Sequence, residues 1–345
     1  MVASDDKPMR STEGAAAPAA LATATSTGRR LKNLIERYAV LLILAGVVIV
    51  FSILEPSTFA TSQNFVTILQ EQSVLACLSL GLLVPLAVGE FDLSVGYVLG
   101  FSAVEAAALG GKSGIPGAPV IIIVLLTGIA IGCLNGILVA RLRVHSLITT
   151  LGIGFAISGL TVGVSGGQTL FAGVPPVIPT LTNTNILGVK SSVWFDLAFA
   201  IAVYITLFHT PFGRRVYAVG GSERVARLAG VRTQGIKIAA FAIAGLFAAL
   251  AGLMQLGEAG AADPSFGINL LLPAFAAIFL GATTIRPGYF NVWGMIIAIL
   301  LLAAGFSGLS LKGVPLWVEP VFDGAVLLIA VLSARAEARN LGRGT

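Results

Sequence analysis

Long uninterrupted apolar runs, separated by short polar connections, make up most of this chain. The stretch "VIIIVLLTGIAIGCLNGILVA" at 120–140 shows no alternation of apolar and polar positions, so it cannot be a strand of a membrane barrel, where the two kinds alternate. Its length instead matches the roughly 20 residues that an α-helix needs to cross a bilayer core. Applied along the chain, this criterion predicts ten spans: 38–54, 65–89, 93–110, 118–140, 147–166, 192–209, 236–256, 268–285, 289–306 and 316–334. The expected fold class is all-α, a polytopic membrane protein with about ten transmembrane helices.

Composition agrees with a membrane setting. Of 345 residues 56% are hydrophobic and 11% charged, whereas soluble domains carry about 25% charged residues. Basic residues then test the topology, because they accumulate in short cytoplasmic loops. Eighteen of the 21 Lys and Arg residues fall on one set of connections, and only Lys112, Lys190 and Lys312 on the other. An even number of crossings with both termini cytoplasmic follows from that asymmetry. Residues 1–34, rich in Ala, Ser, Thr and Pro over most of their length, read as a disordered cytoplasmic tail. Residues 35–334 form the membrane domain, and 335–345 a second cytoplasmic tail. Cys77 and Cys133 lie inside apolar runs and read as packing residues. Gly128, Gly132 and Gly136, and then Gly159 and Gly163, recur at four-residue spacing, which lets helices approach closely in lipid.

Candidate chemistry is sparse. "VSGGQ" at 164–168 is one letter from the LSGGQ signature of ABC-type ATPases, and "AAALGGKS" at 106–113 resembles part of a phosphate-binding loop. Neither has the soluble strand–loop–helix context that such motifs require, and both are read as coincidences. His145 and His209 sit beside cytoplasmic loops with no spaced metal partner or nucleophile. No catalytic residue, metal, cofactor or nucleic-acid partner is expected.

Two stretches stand out. In "VGEFDLSVGYVLG" at 88–100, Glu90 and Asp92 interrupt an apolar region where a carboxylate at a helix centre costs about 2.5–3.5 kcal/mol. Two arrangements satisfy them: a tight cytoplasmic turn in which Asp92 or Ser94 caps the next helix, or a broken element lining a transport path. Other acids, including Glu71, Glu105, Asp196, Glu319 and Asp323, lie mostly near span ends and are expected to reach water. The loop "TPFGRRVYAVGGSERVARLAGVRTQGIK" at 210–237 holds six basic residues. Within it Ser222 is a good N-cap, Glu223 suits the positive helix end and Gly230 supplies a stop. That short helix either rests on anionic lipid or is presented to a cytoplasmic partner.

Three motifs in order then resemble a known family. "GEFDLSVG" is similar to the Gly-Gly-Ile-Asp-Leu-Ser-Val-Gly stretch of ABC importer permeases of the ribose or monosaccharide type. "GCLNGILVARLRVHSLITTLG" and "FGRRVYAVGGSERVARLAGV" resemble their Asn-Gly-x-Leu-Val segment and their coupling loop. The likeness covers roughly 35–334. It implies a type II ABC importer-like permease in the bacterial cytoplasmic membrane, working with a cytoplasmic ABC ATPase, an extracytoplasmic sugar-binding protein and a second permease subunit, and importing a monosaccharide or related polyol.

By that resemblance Gly220, Gly221, Ser222, Glu223, Ala226, Arg227, Leu228 and Gly230 form the ATPase-coupling helix. Glu90, Asp92, Ser94 and Asn135 are candidates for the translocation path or gate. Glu90 stands where the family more often has glycine. "LLLPAFAAIFLGATTIRPGYFNVWG" at 270–294 also departs from the family wording, visibly at Pro273 and Ala282. The rival reading is an ion-coupled secondary transporter of a small neutral solute, with Glu90 and Asp92 as relay carboxylates.

Overall fold

The computed structural model describes residues 19–328 except 112 and 316, with side chains from 37 onward. The first nine helices are α1 (Ala19–Leu54), α2 (Ser62–Glu71), α3 (Ser73–Val88), α4 (Ser94–Gly111), α5 (Gly117–Ala140), α6 (Ser146–Ser165), α7 (Val177–Asn183), α8 (Ser191–His209) and α9 (Pro211–Gly221). A two-residue hairpin, β1 (Asn185–Ile186) and β2 (Val189–Lys190), lies between α7 and α8. There follow α10 (Glu223–Leu228), α11 (Thr233–Ala259), α12 (Phe266–Asn269), α13 (Leu271–Gly281) and α14 (Val292–Leu311).

Among the described residues seven helices are long and apolar enough to cross a membrane: Arg37–Leu54 of α1, α4, α5, α6, α8, α11 and α14. The expected single span at 65–89 is instead the pair α2 and α3, bent by 45° at Gln72. Gln70, Glu71 and Gln72 are three consecutive polar residues, and a straight helix would have carried them on into the apolar layer. The expected span at 268–285 is replaced by the short apolar pair α12 and α13. Of the last expected span, 318–328 is helical and the rest lies outside the described residues. At the other end, α1 takes in residues 19–34, which composition assigned to a disordered tail. Ala, the strongest helix former, is frequent there and extends the membrane helix backwards. The two terminal segments 1–18 and 329–345 lie outside the described residues.

The core is organised around α11, which packs against α5, α3 and α4. The α5 glycines explain the closest of these contacts. A Cβ at Gly128 would stand 2.4 Å from Gly245 O, and one at Gly132 would stand 2.2 Å from Phe241 O. Backbone therefore meets backbone, and packing rather than hydrophobic transfer holds helices together in lipid. On α6 the outcome is different: Gly152, Gly159 and Gly163 would meet nothing within 4 Å.

Contacts also gather the basic connections at one end of the bundle. Arg37 exchanges hydrogen bonds with Ile285, Tyr217 donates to Phe290 O at 2.6 Å, and Phe91 N–H donates to Ser146 Oγ at 3.3 Å. The start of the membrane-crossing part of α1, the α3–α4 turn, the start of α6, α9 and the 282–291 loop are thus neighbours. At the opposite end Lys312 pairs with Glu55 at 2.6 Å, and Leu170 bridges Ala262. There the "VSGGQ" stretch closes α6, with Gly166 as a left-handed cap at φ +70°.

Candidate coupling face and transit cavity

Thr210 begins the charged connection. Its Oγ1 accepts the Gly213 N–H at 3.3 Å, and Pro211 occupies the first turn, where its missing N–H costs nothing. The result is a second helix, α9, inside a segment expected to hold one. Gly220 and Gly221 therefore close α9 and do not belong to the short helix assigned to them. Ser222 then caps α10 by accepting the Val225 N–H at 3.4 Å, and Gly230 follows it in the left-handed region at φ +81°. Within α10 only Ala226 is buried. Leu228 is 83% exposed and Val225 64%, two apolar side chains standing clear of the bundle. Arg227 pairs with Glu223 one helical turn away.

Gly220 meets the bundle directly. A Cβ there would lie 2.1 Å from Ala87 O at the end of α3, while one at Gly221 would meet nothing within 4 Å. Just beyond Ala87 comes the acidic turn. Gly89 ends α3 at φ +90°, and Asp92 Oδ1 accepts from Ser94 N–H (2.9 Å) and Ser94 Oγ (2.6 Å), capping α4. Asn135 of α5 donates to Ser94 Oγ at 2.8 Å. Thr150 of α6 accepts the Leu93 N–H at 3.1 Å. Asp92 is only 1% exposed, and burial pushes its carboxyl up to about 6, against the pull of the two Ser94 bonds. Asp92, Ser94 and Asn135 are thus one buried hydrogen-bonded cluster that joins α4, α5 and the acidic turn.

Glu90 faces elsewhere. It lines a cleft of about 380 Å³ with Arg143, His145, Glu223, Arg227 and Lys237. Lys237 Nζ stands 2.6 Å from Glu90 Oε1 and 2.6 Å from Glu223 Oε2. Hydrogen bonding from that ammonium holds the Glu223 carboxyl below the ordinary carboxylate range.

None of the four expected path residues lines the cavity at the other end of the molecule. That cavity, about 450 Å³, opens where α2 bends into α3, beside the α12–α13 break and the end of α14. Its polar wall includes Asn64, Glu71, Gln72, Ser307, Glu319 and Asp323, with Ser307 Oγ donating to Asn64 Oδ1 at 3.2 Å. Glu71, Glu319 and Asp323, each expected to reach water near a span end, are collected by the fold on one wall. The polar triplet 70–72 was the available signal, since irregular backbone at membrane depth is tolerated only beside protein or a cavity. Asp196 also departs from expectation: it is buried in α8 rather than water-exposed.

A family model described as the permease component of branched-chain amino acid transport systems matches residues 64–331. The chain belongs to this family. The permease is also 32% identical over 318 residues to a ribose import permease of Escherichia coli K12, covering 90% of this chain and 98% of the relative. An L-arabinose ABC transporter permease of Azospirillum brasilense is 30% identical, with 91% of each chain covered. A xylose transport permease of Haemophilus influenzae is 28% identical over 88% of this chain and 97% of its own. No solved structure matches the permease. The bent and broken helices around the cavity and the lightly held α10 are thus features of a membrane transport component.

Proposed function

We propose that two copies of this permease import a monosaccharide across the bacterial cytoplasmic membrane, powered by a separate ABC ATPase and supplied by an extracytoplasmic sugar-binding protein. The observation that carries this reading is α10, a capped helix that offers exposed Leu228 and Val225 at the basic end of the bundle. An apolar anchor flanked by charge is what a groove on a partner takes up. The asymmetry of Lys and Arg supports a cytoplasmic location for that end and for both termini.

The relatives' sugars support a monosaccharide as cargo, and the cavity suits one. Its hydroxyl, amide and carboxylate groups complement sugar hydroxyls, and its volume lies within the roughly 300–1,000 Å³ of small-molecule sites. The open glycines of α6, beside exposed Ile148, Phe155 and Leu160, favour a second permease copy there, since the α5 glycines are already occupied by α11.

Reconstitution tests the reading. Proteoliposomes holding the permease and ATPase, given the binding protein outside, should accumulate its sugar only when ATP is supplied to the ATPase side. Uptake that persists without ATP and collapses with the proton gradient would establish the ion-coupled alternative.

A further inference from the structure

Glu90 lies away from the transit cavity, and its contacts point to a different role. It occupies the second position of the α3–α4 turn, and its Oε1 lies 2.6 Å from Lys237 Nζ in the first turns of α11. The same ammonium lies 2.6 Å from Glu223 Oε2, on the first residue of α10. Glu223 Oε1 is taken in turn by Arg227 and, at 3.2 Å, by Thr233 Oγ1. One cation therefore holds two carboxylates that are far apart in sequence and belong to different working parts.

The chain is shielded where it matters. The Lys237 and Glu90 side chains are 12% and 16% exposed, so the pair escapes much of the screening that makes open surface pairs nearly worthless. Removing one partner of a shielded pair leaves an uncompensated charge, which is why such a deletion costs more than the pair contributes.

What lies at each end gives the chain its meaning. On one side α10 touches the bundle through Ala226 alone among its buried residues, and its far end turns at Gly230. Apart from its covalent and packing link to α9, its hold on the membrane body is light, so the Glu223–Lys237 contact is the side-chain route by which a displacement leaves it for the acidic turn. On the other side the residues after Glu90 are pinned: Phe91 N–H to Ser146, Leu93 N–H to Thr150, and Asp92 onto the start of α4. A shift at Glu90 is delivered to the first turns of α4 and α6 together.

We propose that the Glu90–Lys237–Glu223 chain is the positioning element that makes α10 and the acidic turn move as one body, with Lys237 as its central pin. The inference rests on the reading of α10 as the ATPase-docking helix. It assigns Glu90 to coupling rather than to the path.

The test uses the full complex of permease, ATPase and binding protein in proteoliposomes, with Glu90→Gln, Lys237→Met and Lys237→Arg compared. For Glu90→Gln and Lys237→Met, sugar moved per ATP hydrolysed should fall about tenfold, within the range of coupling between linked sites. The concentration of loaded binding protein that half-saturates ATP hydrolysis should not change. Lys237→Arg, which keeps the charge, should restore most of the transport. Should Lys237→Met fail to assemble, Glu90→Gln decides, because the Glu90 carboxylate pairs with Lys237 whereas Lys237 itself bonds α10 through Glu223. Unchanged transport per ATP in Glu90→Gln overturns the proposal, as does a Lys237→Arg variant no better than Lys237→Met. Failure of the docking reading would show separately, as an ATPase that still binds when Leu228 is replaced by Glu.

Discussion

Leu228→Glu should abolish copurification of the permease with its ATPase and, with it, ATP-driven uptake. Leu228 is 83% exposed on a helix fixed by the Ser222 cap and the Gly230 stop, so the substitution disturbs no internal packing. Thermal stability of the isolated permease should stay within about 0.5 kcal/mol of the parent, as for other surface changes. Binding is another matter. A central apolar anchor typically contributes about 2 kcal/mol or more, or roughly 30-fold in affinity. A carboxylate pressed into the same groove adds the cost of an unpaired buried charge, about 3–5 kcal/mol where such charges have been stranded. Titration of the ATPase against the detergent-solubilised permease reads the effect directly. Unaltered affinity would mean that α10 serves some other surface, the lipid headgroups first among them.

The second large effect separates two neighbouring glycines. Gly220→Ala should destabilise the permease strongly and abolish transport, while Gly221→Ala should leave both intact. At Gly220 the new methyl would sit 2.1 Å from Ala87 O and 3.1 Å from Ala87 C. These are backbone atoms at the end of a packed helix and cannot swing aside, so α9 must lift from α3. Overpacking of this kind costs about 1–3 kcal/mol, and the acidic turn begins two residues beyond Ala87. At Gly221 the methyl meets nothing, and the helix-favouring change is neutral or slightly stabilising. Thermal unfolding in detergent together with uptake in proteoliposomes distinguishes the pair. Equal behaviour of the two variants would show that α9 does not rest on α3 as described.

Much of this arrangement could be read from local chemistry. The continuous apolar runs, the α5 glycine spacing and the Ser222–Glu223–Gly230 grammar each act within one or two helical turns, and each has its counterpart in the structure. Helix α9 was legible too, since Thr210 followed by Pro211 is an N-terminal signature. Gly213 and the paired Arg214 and Arg215 that follow mask the signal, because glycine and adjacent charges are also common in loops. The bend at Gln72 was hidden in a span whose average hydropathy is high, although three adjacent polar residues marked it.

Other features depend on partners that no local pattern reveals. Glu90 meets Lys237 from 147 positions away. Glu71 shares a cavity wall with Glu319 and Asp323 because α2, α14 and the 318–328 helix converge. A carboxylate in an apolar run announces that it needs a partner. The fold alone says which one.

Accessibility of position 228 tests the account most directly. With Leu228→Cys, a membrane-impermeant thiol reagent should leave intact cells unlabelled, react readily in inside-out vesicles stripped of the ATPase, and be blocked once the ATPase is added back. Labelling from outside intact cells, or labelling of vesicles unaffected by the ATPase, would contradict it.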